Sequence, residues 1–143
     1  MPAMRTKEFL ELLPDLLRQQ LPEDLANFQV AHRITSLTKF YYNRPSFHYE
    51  VWIQKRRKEV ELGLHFESDP DSNLEQLDLL REKADQIHGS LGDEVELHEW
   101  DRGWTRAHET LELDPLDDDF LVEISFRLSA MIETFEPILR GES

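Results

Sequence analysis

Residues 47–73 read FHYEVWIQKRRKEVELGLHFESDPDSN, and the fold of the chain turns on how residues 47–66 pair. Phe47, Tyr49, Val51 and Ile53 alternate with His48, Glu50, Trp52 and Gln54. Beyond the basic run, Val60, Leu62, Leu64 and Phe66 alternate with Glu59, Glu61, Gly63, His65 and Glu67. A period of two marks a strand with one face buried. A four-residue loop at Lys55–Lys58 pairs Gln54 with Glu59. It then sets Ile53 against Val60, Val51 against Leu62, Tyr49 against Leu64 and Phe47 against Phe66. All four apolar pairs fall on one face, whereas a slip of one residue would oppose every apolar side chain to a polar one.

The same register puts His48 opposite His65 and Glu50 opposite Gly63 on the polar face, with Glu67 just beyond. These four side chains are the candidate catalytic residues. Imidazoles and carboxylates at cross-strand distance, about 5 Å between Cβ atoms, suit a divalent ion of the zinc, iron or manganese type or a general acid–base pair. Their spacing matches neither His-Glu-x-x-His nor a His cluster at helical spacing, so no metal and no cofactor is assigned. The plainer reading is a solvated or partly covered sheet face, where Glu and His are ordinary. At the tip, Lys55, Arg56, Arg57 and Lys58 are four consecutive cations, and with Trp52 they are the candidate binding residues, for phosphates or an acidic partner. Lys39 and Arg44 are the nearest extensions of that charge. The plainer reading of the tip is a turn that guards the hairpin against edge pairing. Trp52, Trp100 and Trp104 either line a pocket or, as a Trp in a sheet more often does, belong to the core.

Upstream, residues 6–21 gather Phe9, Leu10, Leu12, Leu13, Leu16, Leu17 and Leu21 on a broad apolar helical face. Thr6 is the expected N-cap, Pro14 should kink or split the helix, and Pro22 ends it. Phe28, Val30, Ile34, Phe40 and Tyr42 share one parity, which reads as one long strand, or as two joined by a turn near Thr35-Ser36. Downstream, Asp69 caps a helix with Pro70 at its first position. Its stripe is Leu74, Leu77, Leu80, Ala84, Ile87 and Leu91, and Gly89 or Gly92 stops it. The strands EVELHEW and WTRAHETLEL follow, joined by a turn at Asp101-Arg102-Gly103. In them His98-Glu99 and His108-Glu109 are neighbours on opposite faces, so neither pair can cooperate directly. A final helix starts at Asp114-Pro115, with a stripe from Phe120 to Leu139 that leaves Phe126 aside. The expected order is α-β-β-β-α-β-β-α: an α+β layer fold with a mostly antiparallel sheet of about five strands and three helices.

The chain has 143 residues, 39% hydrophobic, 10% aromatic and 32% charged. That fits a single α+β domain, residues 1–143, with a core of its own. It has no cysteine, which excludes disulfides, thiolate metal sites and cysteine nucleophiles. A net charge of −14 repels phosphate backbones and anionic lipid and favours basic partners. Nucleic acid is therefore disfavoured, and a protein partner or a homo-oligomer is expected. No apolar run approaches the roughly 20 residues that span a bilayer, and the N-terminus has no signal-peptide pattern. A soluble, cytoplasmic protein is expected. The five glycines form no phosphate loop, and there is no Gly-x-Ser-x-Gly elbow.

A hairpin ending Leu64-His65-Phe66-Glu67 precedes a helix with Asn73, Leu77, Leu80 and Lys83. That helix leads through Ile87 and Leu91-Gly92 to a strand ending in Trp100. Over residues 47–108 this resembles the strand–helix–strand core of uncharacterised bacterial domains found near restriction–modification systems. The resemblance implies the fold and supplies no catalytic residues. A restriction-type nuclease core needs an Asp followed by Glu-x-Lys or Asp-x-Lys on the next strand, and Glu50 with Lys55 has the wrong spacing. The reading is a small acidic protein-binding or regulatory module. The alternative is a metal-dependent or acid–base, hydrolase-like enzyme using His48, Glu50, His65 and Glu67.

Overall fold

Every apolar pair expected in the hairpin is found. β3 (Phe47–Gln54) and β4 (Glu59–Phe66) run antiparallel with Val51 opposite Leu62 and Tyr49 opposite Leu64. The computed structural model describes residues 3–142, apart from the side chains of His32 and Arg33. Around the hairpin are α1 (Thr6–Gln20), β1 (Gln29–Ile34), β2 (Leu37–Tyr41), α2 (Pro70–Arg81), α3 (Ala84–Leu91), β5 (Glu96–Glu99), β6 (Thr105–Glu112) and α4 (Asp118–Leu139). The strands form one antiparallel sheet in the order β1-β2-β3-β4-β6-β5. The α+β class holds, with six strands and four helices among the described residues in place of five and three.

Both extra elements come from breaks that periodicity does not announce. β1 and β2 are separate strands turning at Thr35-Ser36, and the register shifts between His32 and Ile34. That irregularity ends the shared parity, so Ile34 is exposed while Phe28 and Phe40 are buried. The helix expected over residues 69–92 is two: at Lys83 the amide bonds to the carbonyl of Leu80 in place of the i−4 oxygen, and Lys83 has φ −111°, ψ 23°. Leu77 and Leu80 before the break and Ile87 after it are buried, whereas Leu74, which belonged to the expected stripe, is exposed.

Local signals decide most boundaries. Asp69 accepts hydrogen bonds from the Ser72 amide at 3.0 Å and hydroxyl at 2.8 Å, with Pro70 at the first helical position. α4 begins later than expected, because Asp117, not Asp114, takes the amide of Phe120 at 2.9 Å. α1 starts one residue early for Thr6 to cap it; Arg5 holds that place, with no side-chain bond. The helix runs as one element through Pro14, although proline removes the bond to the carbonyl four residues back. Phe9, Leu13 and Leu17, all buried, hold its two halves in the core.

The helices cover one face of the sheet. Tyr49, Val51, Leu62, Leu64 and Ala107 meet Phe9, Leu13, Leu128 and Phe135 in one apolar cluster, and Phe9 packs on Phe120. Tyr49 donates to Glu136 Oε2 at 2.7 Å, tying β3 to α4, and Arg140 holds the other carboxylate oxygen. Burial, then the neighbouring carboxylate, pushes the Tyr49 phenol well above its usual range, so it stays a donor. Asn73 is fully buried and its side chain closes the hairpin's exit. It accepts from the Ser68 amide and donates to the carbonyls of Ser68 and Gly103. Among the described residues no helix is long and apolar enough to cross a membrane.

Candidate functional site

The sheet face away from the helices carries the polar parity of every strand. Register places Lys39, Glu50, Gly63, His108 and Glu96 in one row across it, and His48, His65, Arg106 and His98 in the next. A solvated or partly covered face was expected, and at its centre it is covered. His48 is 1% exposed, His65 2% and Glu50 5%. Trp100 stands edge-on to the His65 ring at 5.9 Å, and the Arg106 guanidinium lies over Trp100 at 4.4 Å. Trp100, from the connection between β5 and β6, and Arg106 of β6 close this surface.

The four candidate residues His48, Glu50, His65 and Glu67 come together. The two imidazoles stack with centroids 5.7 Å apart and planes 3° from parallel, as expected of cross-strand partners. His48 Nδ1 lies 2.8 Å from the carbonyl oxygen of Pro45. A carbonyl only accepts, so Nδ1 carries the proton, and a neutral His48 turns a bare Nε2 inward. That Nε2 is 2.9 Å from Glu50 Oε1. Two lone pairs cannot face each other at that distance without a cation between them, either a proton or a metal ion. His65 has no hydrogen-bond partner on either ring nitrogen. It sits 3.7 Å from Glu50, 3.9 Å from Glu61 and 3.5 Å from Glu67, within ion-pair reach. Glu67 also meets the Lys39 ammonium at 3.9 Å. Burial raises the Glu67 carboxyl, but the His65 contact and the charges of His48, His65 and Lys39 outweigh it and hold it below the usual range. One ligand atom from each of the four residues fits within a 4.8 Å span.

Sequence reasoning missed the second half of this face. Glu61 is buried, with Arg106 Nη1 at 2.6 Å and His108 Nδ1 at 3.3 Å. His108 Nε2 reaches Glu96 at 3.4 Å, and Arg106 Nε lies 3.0 Å from His98 Nε2. Burial raises the Glu61 carboxyl, yet His108, with the charges of His65 and Arg106, brings it below its usual value. His98 and His108 each face away from their sequence neighbours, as expected, but they meet each other edge-on at 4.8 Å. The available signal was parity: Glu61 shares that of His65, and His98 shares that of Glu96.

The other candidates lie elsewhere. Lys55, Arg56, Arg57 and Lys58 are exposed at the hairpin tip, and Lys58 takes φ 56° to make the turn. The basic patch does not extend: Lys39 belongs to the Glu67 pair, and Arg44 is at the far end of the hairpin, bonded to Ser46 and Ser68 and stacked on Phe47. Trp52 is opposite Glu61 on the outer face and 36% exposed, as is Trp100; neither is a core residue. No protein-family model matches this chain, and no curated protein matches it. The chain is similar to a chain of the solved HopA1–SchA chaperone–effector complex, with TM-score 0.48 and 16% identity over 98% of this chain and 97% of that one.

Proposed function

We propose that this chain is a protein-binding module whose contact surface is the outer side of α4 beside α3. The observation that carries this reading is Phe126, 66% exposed in the middle of a helix whose inner stripe is fully buried. Val122, 46% exposed, lies one turn before it, so the two form a continuous apolar ridge. Ala130 extends the ridge by another turn. A hollow of about 160 Å³ beside it is lined by Ser90, Leu91, Glu109, Phe126, Arg127 and Ala130. An exposed aromatic ridge with an adjoining hollow is the usual form of a protein contact site. The net charge of −14 favours a partner whose flanks are basic.

A photo-crosslinking phenylalanine analogue at position 126 tests this in cells that produce the protein, with the same analogue at position 56 on the hairpin tip as control. The expected result is a discrete adduct from position 126 alone, either with a second copy or with another protein, identified by mass spectrometry. Phe126→Ser should prevent that partner from co-purifying while leaving the urea midpoint near wild type, as exposed substitutions do. An adduct from position 56 alone, or none from 126, would contradict the reading.

A further inference from the structure

We infer that His48, Glu50, His65 and Glu67 form a binding site for one divalent transition-metal ion of the zinc class, independent of the α4 surface. Three observations converge. The first is composition: two imidazoles and two carboxylates are a donor set that zinc accepts and that alkaline-earth ions, which want oxygen alone, do not. The second is orientation. The Pro45 carbonyl fixes the proton of His48 on Nδ1 and so turns Nε2 toward the cluster, the arrangement by which metal-bound histidines are held from behind. The third is an unmet demand. His65 is 2% exposed, and neither ring nitrogen makes a close hydrogen bond. Its carboxylate contacts are long, 3.5 Å to Glu67 and 3.7 Å to Glu50, which leaves a buried polar ring under-satisfied.

Dimensions and charge agree. A tetrahedral ion with bonds of about 2.0–2.1 Å spaces its ligand atoms roughly 3.4 Å apart. The four donor atoms here span at most 4.8 Å, so shifts of under about 1 Å per side chain close the shell. Glu50 and Glu67 bring two negative charges, and Lys39 offsets one of them from 3.9 Å. A divalent cation replaces that weak pairing and also separates the facing lone pairs of His48 and Glu50. A hollow of about 220 Å³ lies on the Lys39 and Pro45 side, lined also by Ala31 and Tyr41; Lys39 contacts Glu67 and Pro45 contacts His48. The second His/Glu group, Glu96 with His98 and His108, is the internal comparison. There Arg106 already occupies His98 Nε2, so that nitrogen is not free for a metal, although His108 shares the unpartnered state of His65.

The test uses untagged protein stripped with chelator and titrated with zinc chloride by calorimetry, with thermal melting alongside. The expected result is one zinc per chain and a melting temperature that rises with zinc, as for any ligand of the native state alone. His65→Gln and Glu67→Gln should each weaken binding at least about 10-fold, and His98→Gln should leave it unchanged. Glu67 is at the rim, so Glu67→Gln keeps the test sound if His65→Gln does not fold. Failure of the wild type to bind a stoichiometric zinc overturns the site. So does binding that survives both His65→Gln and Glu67→Gln, or that His98→Gln abolishes.

Discussion

At Gly63 the sheet has room for a hydrogen and no more. A Cβ there would lie 2.4 Å from His108 Cβ and 2.6 Å from the Ala107 carbonyl oxygen, so the close approach of β4 and β6 requires glycine. The same vacancy separates Glu50 from His108 on the outer face, since Gly63 is cross-strand partner to both. Gly63→Ala should therefore cost about 1–3 kcal/mol by overpacking, and it should displace His108 from Glu61. Urea denaturation measures the first effect; an unchanged midpoint would show that the strands yield freely. Leu62, one residue earlier on the core face, is fully buried, and Leu62→Ala should cost about 2–5 kcal/mol. Phe126→Ala should cost much less. Equal losses would mean that Phe126 is covered in solution by another chain.

β6 and α4 are joined by a pair that neither element signals alone. Glu109 faces the helices opposite Leu62 and is 2% exposed, and Arg127 grips it with Nε at 2.7 Å and Nη2 at 2.5 Å. That bidentate contact, ahead of the opposing cost of burial, raises the arginine further above its usual range. Arg127→Ala strands a buried carboxylate and should cost about 3 kcal/mol, toward the low end for a broken buried pair because water reaches the arginine side. Glu109→Leu with Arg127→Met should recover most of that loss. A double variant as unstable as the single one would contradict this origin. Legibility in the sequence followed the same division. The β3–β4 hairpin was readable because a short loop fixes its register, and that placed His48, Glu50, His65 and Glu67 together. The β4–β6 pairing spans two helices and β5, so nothing local could bring Glu61 to Arg106 and His108. The Lys83 break was hidden because apolar spacing continues across it, and the β1 irregularity because one shifted residue leaves composition unchanged.

Over the whole molecule, the acids and imidazoles of the outer face make stability depend on pH with a definite sign. Burial, then the charges of His108 and Arg106, hold His98 below its usual 6.5, while Glu61 and Glu67 are held below 4.5. Each of the three therefore binds fewer protons folded than unfolded, and each contributes stability that is present at neutral pH and lost on acidification. The His98 contribution fades as pH drops through and below 6.5, and the carboxylate contributions fade below 4.5. Urea midpoints of metal-free protein should fall steadily from neutral pH to about pH 4, with a shallower first stage in His98→Gln. A midpoint that rises on acidification would contradict this. The central claim is that the hairpin's polar face is a dry, oriented cluster and not a solvated surface. Nitrogen-15 NMR of the imidazole rings tests it most directly, because it reads which nitrogen of His48 carries the proton. The expected spectrum has that proton on Nδ1 and slow to exchange, and added zinc shifts His48 Nε2 and His65 while His98 stays in place. A neutral His48 protonated on Nε2, exchanging at the rate of a free imidazole, would contradict it.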